Sequence, residues 1–99
     1  MVLNTTRLPA VNYMISDGYV PNNPGEILPQ LLECLSDTNI LVQRSTLELL
    51  NAWDMKKWDV DVRIEILAGS MGTLLRRDVS LNRRFFAMIK DEDWIVVEV

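Results

Sequence analysis

The chain has 99 residues, 48% of them hydrophobic and 24% charged, with a formal net charge of −4. That length allows one domain with a modest core, and no apolar run approaches the roughly 18 residues that would span a bilayer. The acidic balance argues against a dedicated nucleic-acid binder, which carries a basic stripe, and the lone Cys34 excludes an internal disulfide and fits a reducing, cytosolic compartment.

The amino terminus, "MVLNTTRLPAVNYMIS", lacks the basic start and long apolar stretch of a secretory signal. From there, helix breakers divide the chain into five apolar-periodic segments. The first, about residues 5–16, sets Leu8, Val11 and Ile15 on one face, with Thr5 or Thr6 available as N-cap and Pro9 tolerable near the start. The stretch "SDGYVPNNPGE" ends it, since Gly18, Pro21 and Pro24 punctuate loops.

The second segment offers Ile27, Leu28, Leu31, Leu32 and Leu35 for burial. Pro29 cannot donate to the residue four before it, so it either kinks this helix or marks its start, and a start near Gly25 to Leu28 is the favoured reading. After the short break "SDTN", the third segment aligns Val42, Thr46, Leu49, Leu50 and Trp53 as a broad buried face.

The fourth segment, about Val60 to Arg77, aligns Ile64, Leu67, Met71, Leu74 and Leu75. Its interior glycines, Gly69 and Gly72, each cost ~1 kcal/mol against alanine, so they point to close approach of a neighbouring helix. A break at Asp78 to Ser80 precedes the fifth segment, which carries Leu81, Phe85, Met88 and Ile89 to Lys90. Residues 91–99, acidic and then apolar around Trp94, form a tail of strand-like composition.

Shifting the chain by about forty residues sets Ile27 over Leu67, Leu31 over Met71, Leu35 over Leu75, Leu41 over Leu81 and Arg44 over Arg84. Two helices per period with a polar turn inside each is the mark of a HEAT or armadillo repeat. The expected fold is therefore all-α: a HEAT/armadillo-like α-solenoid fragment of about five antiparallel helices over residues 1–90, followed by the tail.

The stretch "LLRRDVSLNRRFFAMI" holds most of the remaining charge pattern. Arg76 and Arg77 fall where cations meet the negative end of a helix dipole, and Asp78 and Ser80 where an acid and a hydroxyl take up free amides. Arg83 and Arg84 fall in the first turn of the fifth segment, where positive charge is unfavourable and some other interaction must offset it. In HEAT-like repeats, turn aspartates and second-helix arginines of neighbouring units bond to each other, and Asp37, Arg44, Asp78 and Arg84 occupy those places. Arg76, Arg77 and Arg83 remain candidates for an outward basic patch that binds a partner or an anion.

No histidine, Gly-rich phosphate cradle or metal-ligand spacing is present, which leaves no catalytic residue, cofactor site or metal site to name. The acid pairs in "DEDW" and "WDVDV" read as solvated surface.

Three stretches, "SDTNILVQRSTLELL", "LLRRDVSLNRRFFAMI" and more loosely "TTRLPAVNYMIS", together resemble the N-terminal conserved region of the Dopey family. Leu41, Val42, Gln43 and Arg44 carry the first match; Leu75 to Asp78 and Ser80 to Arg84 carry the second. The resemblance implies a very large cytosolic scaffold, peripheral to Golgi and endosomal membranes, with partners that include an Arf-exchange-factor-related scaffold, a phospholipid flippase and kinesin light chains. It implies no catalytic residue. Two departures stand out: "NAWDMKKWDVDVR" is shorter than the family's aromatic- and proline-rich connection, and "KDEDWIVVEV" is unlike the family's continuation. Two function classes follow, a protein-interaction segment of a trafficking scaffold and an anionic-lipid or phosphoinositide-binding helical module.

Overall fold

The computed structural model describes residues 4–54 and 57–90, with side chains from residue 7 onward. The described residues form five α-helices and one short 3-10 helix: α1 (Asn4–Asp17), α2 (Pro24–Leu35), α3 (Ile40–Asn51), α4 (Val60–Met71), the 3-10 turn (Gly72–Arg76) and α5 (Val79–Lys90). No strand occurs among them. The tail and its Trp94 lie outside the described residues.

Local chemistry explains most helix ends. Asn23 caps α2 by accepting from the Gly25 amide at 3.2 Å, and Pro24 takes the first helical position, where its missing N–H costs nothing. The helix thus begins before the expected start, and Pro29 sits inside it on the exposed side. Asn39 caps α3 through the Leu41 amide at 2.9 Å. In α1 the helix already runs at Asn4, so Thr5 and Thr6 lie within it and do not cap it. Pro9 is also internal, removing the bond its N–H would have made to Thr5.

The helices stack in two layers. α3 packs against both α1 and α5 in one layer, α2 packs against α4 in the other, and the α2–α3 contact joins the layers. Successive units of two antiparallel helices, preceded by the half unit α1, give the solenoid-like fragment expected from the repeat. Val11, Leu31, Leu35, Val42, Leu47, Leu49, Leu50, Ile66, Leu81, Phe85 and Met88 form one continuous core between the layers. The central helix α3 and the turn that follows it bury all five residues of the expected face, Trp53 included.

Trp53 also clamps the α1–α2 connection. Its indole Nε1 donates to the Tyr19 carbonyl at 2.7 Å, and its ring meets Tyr19 edge-on and Trp58 at a tilt. The aromatic contacts tie both ends of the first full unit together.

Helix α4 and the 3-10 turn after it bring only part of the expected face inward: Leu67 and Leu74 are half-buried against the core. Ile66, Ser70 and Thr73 are buried, whereas Ile64, Met71 and Leu75 are exposed, Leu75 at 85%. Two hydroxyls explain this. Ser70 donates to the Ile66 carbonyl and Thr73 to the Ser70 carbonyl, both at 2.7 Å, so neither needs water. Gly69 sits against α2, where an added Cβ would lie 2.9 Å from Leu32 Cδ2 and 3.3 Å from Leu35 Cδ1. The expected close approach is present at Gly69, while Gly72 has open space around it.

The repeat register shifts accordingly. Leu41 is exposed and Leu81 fully buried, so they are not equivalent. A shift one residue shorter sets Val42 over Leu81, Thr46 over Phe85 and Leu49 over Met88, all buried. The α-helical part of the fourth segment ends at Met71, the chain tightens into the 3-10 turn, and Arg77 adopts a left-handed conformation, φ 54°. The break therefore falls at Arg77 and Asp78, and α5 begins at Val79.

Candidate functional site

Polar side chains gather at the two turns that join the layers. In the α2–α3 turn, Asp37 has a fully buried side chain that accepts from two directions. The Asn39 amide donates to its Oδ1 at 2.7 Å, and Arg7 Nη1 donates to its Oδ2 at 2.8 Å across the unit boundary from α1. Arg7 Nη2 also reaches Glu33 at 3.2 Å. The Asp37 bond is the main reason the Arg7 guanidinium holds its proton even more firmly than usual. Beside it, burial pushes the Cys34 thiol up, with Arg7 opposing, which keeps Cys34 a neutral thiol.

The α4–α5 turn is built differently. Asp78 Oδ1 accepts from the Leu81 amide at 2.9 Å and so caps α5. Arg84 Nε donates to Glu48 on α3, and its Nη1 donates to the Ser80 hydroxyl at 2.8 Å. Arg44 donates to the same hydroxyl only at 3.5 Å. The arginine and aspartate ladder expected from Asp37, Arg44, Asp78 and Arg84 is therefore not formed among those four. Asp37 is taken by Arg7, Asp78 by a backbone amide, and Ser80 and Glu48 receive the two arginines. Arg84 lies in the second turn of α5, because the helix starts earlier than expected, and Glu48 supplies the offsetting charge.

An open cleft of about 360 Å³ on the α1, α3 and α5 layer is lined by Leu8 and Asn12 of α1, Leu41, Arg44, Ser45 and Glu48 of α3, and Arg84 of α5. Two of the candidate residues, Arg44 and Arg84, meet here. A surface of this kind, part charged and part apolar and recessed between helices, suits recognition of a protein segment.

Arg76, Arg77 and Arg83 are all exposed. Arg76 is not free: its Nη2 donates to the Thr38 carbonyl at 2.6 Å and so ties the two turns together. The side chains of Arg77 and Arg83 have no hydrogen-bond or ion-pair partner among the described residues. The residue that sequence reasoning missed is Arg7. Its only signal was a lone cation on the polar side of the first segment, outside the repeat overlay.

No helix among the described residues is long and apolar enough to cross a membrane. Comparison with known proteins adds the family. The sequence profile described as "Dopey, N-terminal" matches residues 6–93. The chain is 34% identical to Protein DOP1B of Xenopus laevis over 116 aligned residues, covering 94% of this chain and 5% of the frog protein. It is 36% identical to the Protein DOP1 homolog of Drosophila melanogaster, covering 84% of this chain and 4% of that protein. The chain thus spans a small fraction of the length of these relatives. The frog alignment is longer than the stretch of this chain that it covers, so the frog protein has residues within the match that are missing here, in keeping with the short α3–α4 connection. No solved structure matches. The profile match over most of the helical stack, joined by relatives identical to it at about a third of the aligned positions, shows that this chain belongs to the Dopey family, in its N-terminal region.

Proposed function

We propose that the chain is a non-enzymatic protein-interaction segment of a Dopey-like scaffold, working at Golgi and endosomal membranes from the cytoplasmic side. The observation that carries this reading is the family match over residues 6–93, which covers a helical stack whose α1–α3–α5 layer keeps an open, charged cleft. The partners implied by the family resemblance are an Arf-exchange-factor-related scaffold, a phospholipid flippase and kinesin light chains. A tagged chain should colocalise with Golgi or endosomal markers, and purified chain should bind at least one of those three partners. Diffuse cytoplasmic signal together with no binding to any of them would remove the proposal.

The anionic-lipid reading draws support from Arg77 and Arg83, which are exposed and unpartnered among the described residues. With Arg76 held by Thr38, two free charges supply ~1 kcal/mol each near an anionic surface, against a chain of net charge −4. Weak, salt-sensitive sedimentation with acidic liposomes is expected. Tight sedimentation that survives high salt and is lost on R77E with R83E would favour the lipid reading instead.

A further inference from the structure

Helix α4 is apolar on two opposite flanks. One flank, Ile66 with Gly69, Ser70 and Thr73, faces inward, with Gly69 against α2. On the other, three- and four-residue steps bring Val60, Ile64, Met71 and Leu75 into one row that runs on through the 3-10 turn, and all four are exposed. Helix α5 repeats the arrangement. It buries Leu81, Phe85 and Met88 and leaves Val79 and Phe86 exposed on the far side, beside the exposed cations Arg83 and Lys90.

The other end of the stack is unlike this. The outer positions of α2 are Glu26, Pro29, Gln30 and Glu33, exposed and without a large apolar side chain. The leading helix α1 exposes a single large apolar side chain, Tyr13, and no row of them. A continuous apolar row on the outer face of the last unit is what a repeat awaiting its neighbour carries, since a terminal unit needs a polar outer face.

We propose that the outer face of α4 and α5 is a stacking surface for a further antiparallel helical pair, apolar where it meets Ile64, Met71 and Leu75, and acidic where it meets Arg83 and Lys90. Continuity selects this occupant. The α2–α4 and α3–α5 contacts advance along the stack in one direction, and the next step of the same kind falls on this face. The basic residues on an otherwise acidic chain specify the charge of the incoming pair. Relatives that extend far beyond the matched span supply chain of the right family to provide it. The inference rests on the stacking of repeats and not on a trafficking role, so loss of Golgi localisation would leave it standing, and absence of stacking would leave the localisation standing.

The test uses the full chain and, as probe, the purified segment of the frog DOP1B protein that follows its matched region. Size exclusion with light scattering should give a one-to-one complex. Met71→Glu combined with Leu75→Glu should weaken it by about thirtyfold or more, the loss typical of a hot-spot change, while Gln30→Glu on the outer side of α2 should leave it unchanged. Thermal melting of both variants alone should match the parent, because the altered side chains are exposed. No complex, or a complex indifferent to the two glutamates, would overturn the inference. So would a homodimer of the chain that the glutamates split, which would assign the face to a second copy, or binding to acidic liposomes through the same residues.

Discussion

The α2–α3 turn and the α4–α5 turn hold equivalent places in successive units, and each presents an aspartate to the following helix. Asp37 is buried and bridges three elements: it receives Arg7 from α1 and the Asn39 amide at the start of α3. Asp78 is only half-buried and serves one local amide, that of Leu81. In the register that sets Val42 over Leu81, Asp78 stands over the cap Asn39 and not over Asp37, so the aspartate of one turn is a tie between units and that of the other a helix cap. Position in the turn and the cation on the neighbouring helix both separate them. Arg7 reaches Asp37, whereas Arg44, its neighbour along the layer, ends at Ser80 at 3.5 Å.

This difference sets the largest expected effect. Asp37→Ala should cost about 3 kcal/mol in urea denaturation, because it strips the partner from a cross-unit cation and from an amide near the start of α3. Asp78→Ala should cost about 1 kcal/mol, the usual loss of a cap. Equal losses at the two positions would break the comparison. Restoring charge and length with Asp37→Glu should recover only part, since the buried site accepts two donors in fixed directions.

The arginine of the second turn comes next. Arg84→Ala should cost about 1 kcal/mol or less, because the Arg84–Glu48 pair is partly exposed, and a double-mutant cycle with Glu48→Gln should place the coupling in the same range. A coupling several times larger would mean that the second turn is locked as tightly as the first. Arg84→Lys should keep part of the pairing with Glu48 and lose the Ser80 contact, as an ammonium lacks the planar fork.

The smallest effect belongs to Arg83. Arg83→Ala should change stability by less than about 0.5 kcal/mol, as expected for an exposed residue with no partner among the described residues. Thermal melts of the two adjacent arginine variants, read side by side, sharpen the distinction between a cation that joins helices and one that faces outward.

Much of the fold was legible because α3 and the turn after it write their burial plainly: Val42, Thr46, Leu49, Leu50 and Trp53 recur at helical spacing, and all five are inside. Helix α4 was misread in part, for two physical reasons. Its apolar residues lie on two flanks, so the spacing that finds the half-buried Leu67 and Leu74 also takes in Ile64, Met71 and Leu75, which face outward. Its true inner face uses Ser70 and Thr73, whose hydroxyls satisfy themselves on carbonyls within the same helix and turn. The arginines of the site were visible as a set, but their pairing was not. Arg7 and Asp37 are separated by 30 residues, and no local pattern joins them.

The Trp53 clamp has a spectroscopic consequence. An indole that is buried and donates a 2.7 Å bond to a carbonyl, with a second indole tilted 5.1 Å away, occupies an environment unlike that of a tryptophan in water. Emission from Trp53 should be blue-shifted in the native protein and should move to the red when the segment around Tyr19 lifts from the end of α3. Tyr19→Ala leaves the carbonyl in place and removes only the ring, so it should change intensity more than wavelength. The chain thereby carries its own optical gauge of whether the leading half unit is seated, readable without any label.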